Sequence, residues 1–150
     1  MQTKRELNII IIDDDRDDFE LVNEAIQEID PNIKVYFIDR CEDAFLYRDM
    51  KIDLVLLDIN MPYHNGFSWL RSIRENGYTD LPVIMYTNSI SPANIEKAYE
   101  EGANLYFNKP ESFNNLIAGL SKLINIDWSK PHSVKEQYRN DSNYKLFQFA

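Results

Sequence analysis

The sequence contains a single cysteine, Cys41, among 150 residues. One thiol allows no internal disulfide and no metal site built from several thiolates, and it suits a reducing compartment. Basic residues are also scarce: 16 Lys and Arg stand against 25 Asp and Glu, for a formal charge of −9. A protein that grips the nucleic-acid backbone needs a basic stripe, so that class is disfavoured. A small phosphorylated partner is not, because one site can differ locally from the average. Long apolar runs are missing as well. The start, Met1-Gln2-Thr3-Lys4-Arg5-Glu6, leads directly into a short apolar stretch, too short for a signal peptide or a membrane span. These absences lead to the expectation of a cytoplasmic protein with no membrane and no nucleic-acid partner. No internal repeat or low-complexity segment is seen, and the length suffices for one domain with its own core.

What is present is a regular alternation of two periods. Residues 7–12 form a β-branched apolar run that stops at Asp13-Asp14-Asp15, a buried strand by composition. Phe19, Val22, Ala25, Ile26 and Ile29 then recur at helical spacing. Asp17 and Asp18 stand in that helix's first turn, where its dipole favours negative charge, and Asp30-Pro31 closes it. Residues 33–37 alternate apolar and polar, which suits an edge strand, and 42–48 read as a short helix. Ile52-Asp53-Leu54-Val55-Leu56-Leu57-Asp58 is apolar without alternation in its centre, the pattern of a strand covered on both faces. A helix through Phe67, Leu70 and Ile73 ends at Asn76-Gly77. A strand over 81–86 runs to Thr87, and a helix opens at Ser91-Pro92 with proline at its first position. A fifth strand over 103–107 leads to Lys109-Pro110, and Phe113, Leu116, Leu120 and Leu123 carry a last helix.

Five strands alternating with five helices imply an α/β, doubly wound parallel sheet with helices on both faces. Asp13 and Asp14, Asp58, Thr87 and Lys109 each follow or end a different strand. All therefore gather at the carboxyl edge of the sheet, where open α/β sheets place their ligands. The domain is expected over residues 1–126. The tail, 127–150, is polar with scattered aromatics, and its composition fits either disorder or a segment that docks or dimerises.

Three converging carboxylates repel unless a cation or protons offset them. Hard oxygen ligands of this kind suit Mg²⁺ or Mn²⁺, and the Asn60 backbone carbonyl could add a neutral oxygen. Lys109 contributes a fixed positive charge and Thr87 a hydroxyl. A metal, a lysine and a hydroxyl around a carboxylate make a site for a phosphoryl group, with a carboxylate oxygen as nucleophile.

With these residues in order, the chain resembles the receiver domain of two-component response regulators over residues 7–124. The resemblance is carried by the pair Asp13-Asp14, the segment Asp58-x-Asn60-Met61-Pro62-x-x-x-Gly66, Thr87, Tyr106 and Lys109-Pro110. Each element alone is common; all of them in order, each after a predicted strand, are specific. The resemblance implies the flavodoxin-like strand order 2-1-3-4-5. It implies that Asp58 accepts a phosphoryl group from a sensor histidine kinase or a histidine phosphotransfer protein. It further implies that Asp13, Asp14, Asp58 and the Asn60 carbonyl bind Mg²⁺, that Thr87 and Lys109 contact the phosphoryl group, and that Thr87 and Tyr106 form the switch. The finer pattern of Asp15, Asp17, Asp18 and Phe19 is similar to stand-alone regulators of the phytochrome-associated type. No helix-turn-helix pattern follows, so the expected output is a contact with a downstream protein, a further phosphorelay step or a homodimer. Two departures are Asn88, where the family more often has a small residue, and the bulky Tyr63-His64 pair beside the site.

Competing readings differ in class. A metal-dependent aspartyl-phosphate phosphatase needs an acid two residues after its nucleophile, and that position is Asn60. A flavin carrier would meet repulsion from Asp13-Asp14-Asp15. A receiver that works without phosphorylation would not need the full set of groups. The acids could also be plain helix caps, Lys109 a surface lysine and Tyr106 a core residue. His64 and His132 read as exposed loop residues, Cys41 as a helix-start residue, and Asp15, Asp17 and Asp18 as solvated or dipole-paired.

Overall fold

The computed structural model describes residues 6–40, 49–61, 65–137, 139–140 and 143–144, the last four for their backbone alone. Five strands, β1 (Asn8–Ile12), β2 (Lys34–Ile38), β3 (Leu54–Leu57), β4 (Val83–Thr87) and β5 (Leu105–Asn108), pair in parallel in the order β2-β1-β3-β4-β5. Between and after them lie α1 (Arg16–Ile29), α2 (Gly66–Glu75), α3 (Pro92–Glu100), α4 (Phe113–Ile124) and α5 (Pro131–Gln137). The doubly wound sheet, its order and five helices are thus as expected. The fifth described helix is nevertheless α5, whereas the helix expected over 42–48 lies outside the described residues.

The sheet is buried on both faces because the central strands are apolar throughout but for Asn8 at the start of β1 and Thr87 at the end of β4. Period two sends alternate residues to opposite layers. Ile9, Ile11, Leu54, Leu56, Ile84 and Phe107 meet Val22, Ala25 and Ile26 of α1 and Leu116, Leu120 and Leu123 of α4. Ile10, Ile12, Val55, Leu57, Met85 and Tyr106 meet Phe67 and Leu70 of α2 and Ile95, Ala98 and Tyr99 of α3. The edge strand β2 is less buried, as its alternation implies.

Helix ends follow local chemistry. Asp15 caps α1, its side chain accepting from the Asp17 N–H at 2.9 Å; Asn65 caps α2 and Ser112 caps α4 in the same way. Beyond α4 the chain folds back on the domain. Trp128 donates to the Leu123 carbonyl at 3.0 Å, Val134 is buried in the layer of α1 and α4, and the Pro131 carbonyl accepts from the Asn104 side chain at 3.0 Å. His132 stands in α5 rather than in a loop, exposed and 3.1 Å from Asp80. A short antiparallel pair, β6 (Arg139–Asn140) and β7 (Asn143–Tyr144), follows, with β7 lying against α3. Among the described residues no helix is long and apolar enough to cross a membrane.

Candidate functional site

In this strand order the connections leave β1 and β3 toward opposite sides, so a crevice opens between their carboxyl ends. Asp13 and Asp58 stand there. The Asp13 N–H is tied to the Ile38 carbonyl and the Asp58 N–H to the Ile12 carbonyl, so both residues continue the ladder to the sheet's edge. Both are buried, while Asp14 is exposed. Asp13 Oδ1 accepts from the Asp15 N–H at 3.0 Å and Asp58 Oδ1 from the Asn60 N–H at 3.3 Å, local turns that aim the carboxylates along the edge. Gly66 explains the spacing of the β3 motif. Its N–H donates to the Ile59 carbonyl at 2.9 Å, and a Cβ at this position would lie 2.2 Å from the Asp58 carbonyl oxygen. Only a residue without a side chain lets α2 start this close to the end of β3.

Lys109 arrives from the far side. Its N–H donates to the Thr87 carbonyl at 2.9 Å, which pins the residue after β5 to the end of β4. The side chain then runs under the edge, 9% exposed, and Nζ donates to Asp18 Oδ2 at 2.6 Å, Asp13 Oδ2 at 2.9 Å and Asp58 Oδ2 at 3.5 Å. It also lies 5.4 Å from the centroid of the Tyr86 ring. Burial alone would lower this ammonium, but the bond to Asp18 and the charges of Asp13 and Asp58 together raise it above the ordinary lysine value. At Asp13 the balance runs the other way. Burial outweighs the attraction of Lys109, and with the nearby Asp58 charge it holds the carboxyl up at about 7.

The carboxylates of Asp13, Asp14 and Asp58 each offer an oxygen, and these lie within 4.8 Å of one another. That donor set fits a hard divalent metal ion. Thr87 is fully buried, its Oγ1 accepting from the Ser89 N–H at 3.4 Å. Tyr106 is fully buried too, its hydroxyl donating to the Ser89 carbonyl at 2.8 Å. Asn60 and Asn88 are exposed at the rim. Tyr63 and His64 lie outside the described residues, as does Cys41.

The response regulator receiver domain family matches residues 9–121, about three quarters of the chain. The chain belongs to that family. Transcriptional regulatory protein CpxR of Escherichia coli strain K12 is 32% identical to this receiver domain over 134 residues, covering 89% of the chain and 54% of CpxR. The chain spans about half the length of the curated relatives it matches. Among solved structures, the signal receiver domain of the DNA binding response regulator protein (merR) from Colwellia psychrerythraea 34H superposes with a TM-score of 0.69 at 27% identity, covering 80% of this chain and 99% of that one. The phosphorylated cyanobacterial phytochrome response regulator RcpA shares the fold with a TM-score of 0.71 at 23% identity, over 79% of this chain and 91% of RcpA.

Of the residues singled out in the sequence of this receiver domain, Asp13, Asp14, Asp58 and Lys109 come together directly, and Thr87 and Tyr106 stand behind them. Asp18 corrects the expectation of a solvated or dipole-paired acid, because it makes the shortest bond to Lys109. A signal for it exists. Helical side chains tilt toward the helix N-terminus, so an acid in the first turn of α1 leans back toward the crevice. Ser89 was missed altogether, because its carbonyl, not its side chain, is what Tyr106 binds.

Proposed function

We propose that this receiver accepts a phosphoryl group on Asp58 from a sensor histidine kinase or a histidine phosphotransfer protein, and thereby switches a surface that a downstream protein reads. The observation that supports this best is the position of Lys109 Nζ, which touches Asp13 and approaches Asp58 within the acid cluster at the crevice. An Asp58 carboxylate oxygen attacks phosphorus, the new P–O bond forms as the P–N bond of the phosphohistidine breaks, and the imidazole nitrogen keeps the electron pair. The product is an acyl phosphate. Lys109 takes one of its oxygens, and the Thr87 hydroxyl, still accepting from the Ser89 N–H, donates to another. No general base is needed, because a carboxylate nucleophile carries no proton to remove.

Asp13, Asp14, Asp58 and the Asn60 carbonyl would hold Mg²⁺ or Mn²⁺ here. Such an ion would offset the charge on the phosphoryl oxygens and on the cluster itself. On the output side, Thr87 and Tyr106 both bond Ser89 in the loop after β4: a pull on Thr87 moves Ser89, and Ser89 holds Tyr106. That gives a local charge event a route to α3 and β5. We place the protein in the cytoplasm, where such kinases present their phosphohistidines. The phosphatase alternative is weaker, because the Asn60 side chain is an amide and cannot protonate a leaving group.

Incubation with acetyl phosphate and Mg²⁺, followed by intact mass, should add one phosphoryl group to the wild type and none to Asp58→Asn. Persistent labelling of Asp58→Asn would mean that another residue is the acceptor.

A further inference from the structure

We propose that Asp18 is a positioning residue that keeps Lys109 aimed at Asp58 when Asp13 turns to the metal ion. The inference rests on the reading of Asp58 as acceptor and Lys109 as phosphoryl ligand, and it adds a residue to that machinery.

An ammonium has three N–H donors, and Lys109, only 9% exposed, must find its partners in the protein. It finds three carboxylates, at 2.6 Å for Asp18, 2.9 Å for Asp13 and 3.5 Å for Asp58. The longest of the three points at the proposed acceptor, so the two shorter bonds decide where the ammonium sits. Asp13 is an insecure anchor. Its Oδ1 already accepts from the Asp15 N–H and its Oδ2 from Lys109, yet Asp13 is also one of the three residues whose oxygens cluster closely enough for an ion. A divalent cation and Lys109 therefore compete for one carboxylate. Asp18 is not a member of that trio. Its carboxylate is about three quarters shielded from solvent, so its attraction for the ammonium is screened less than in an exposed pair. It is built on the first turn of a fourteen-residue helix that packs on the sheet. With Asp18 in place, the cluster can hold an ion without releasing the lysine.

The contact also joins elements that no local pattern connects. Asp18 and Lys109 are 91 residues apart in the chain. The helix dipole alone would account for an acid at this position, but not for a 2.6 Å bond to a buried ammonium.

Asp18→Asn keeps the size of the side chain and removes its charge. At saturating Mg²⁺ its rate of phosphoryl uptake from acetyl phosphate should fall on the order of tenfold, the scale seen when a group that orients a site residue is lost. Asp18→Glu should recover part of the rate, and Asp18→Asn should cost nothing further in a Lys109→Met background. A second measurement needs no phosphoryl donor. The Lys109 Nζ–H signal in nitrogen-detected NMR should persist in the wild type on adding Mg²⁺ and vanish in Asp18→Asn. A wild-type rate together with a persistent signal in Asp18→Asn, while Asp58 still labels, overturns the role of Asp18 alone. Equal slowing by Asp18→Asn with and without Lys109 also overturns it. If wild-type Asp58 does not label at all, the parent reading falls and this one with it.

Discussion

The Tyr106 hydroxyl donates to the Ser89 carbonyl at 2.8 Å, so the ring of a β5 residue is tethered to the loop that follows β4. That loop is itself tied down. Ser89 Oγ accepts from the Asn94 side chain at 2.9 Å, in the first turn of α3, and the Ser89 N–H bonds Thr87. One short segment therefore couples the buried hydroxyl at the crevice, the buried ring and the start of α3.

Tyr106→Phe keeps the ring and removes the tether. The loss should cost about 1 kcal/mol in chemical denaturation. Amide hydrogen exchange should quicken at Ser89, Ser91 and Asn94 while the β1 and β3 amides stay protected. Unchanged exchange in that loop would separate Tyr106 from the proposed switch.

Gly66→Ala tests the close approach of α2 to the end of β3. The added methyl would overlap the Asp58 carbonyl oxygen, and both partners are backbone, so neither can step aside cheaply. Stability should drop by about 1–3 kcal/mol in urea unfolding, with slower phosphoryl uptake because Asp58 moves. Gly77→Ala meets no atom but sits at a φ of +95°. It should cost about 1 kcal/mol through strain and leave uptake at the wild-type rate.

Asp13 should make the metal-free protein sensitive to pH. Burial raises its carboxyl from 3.8 to about 7 in the folded chain. The folded state thus binds a proton that the unfolded state has released between those values. The stability linked to that proton is complete below about pH 4 and is lost as pH rises through about 7. In a chelator, the melting temperature of Asp13→Asn relative to wild type should therefore climb across that window and level off above it. A constant difference would mean that the buried carboxyl is already ionised at low pH.

Val134 is 2% exposed and shares the apolar layer of α1 and α4. Val134→Ala should cost on the order of 1–3 kcal/mol by leaving a cavity, and differential scanning calorimetry would show it as a lower melting temperature. Phosphoryl uptake in folded protein should not change, because α5 lies at the opposite end of the sheet, where the Pro131 carbonyl meets Asn104 at the start of β5.

The periods of the sequence determine most of the fold. Uninterrupted apolar runs such as 54–57 require a sheet covered on both faces, and helical spacing between them requires crossovers. Parallel crossovers then bring Asp13, Asp58, Thr87 and Lys109 to one edge. These are consequences of local backbone geometry, so they can be read without coordinates. The strand order came from resemblance, and the helix over 42–48 lies outside the described residues. Tertiary structure alone decided three things. It brought Asp18 onto Lys109, it seated α5 against the layer of α1 and α4, and it put the Tyr106 hydroxyl on a backbone carbonyl. Each depends on which distant segments touch. Hydrophobic period reports which face of an element is buried, and it carries no information about the partner that buries it.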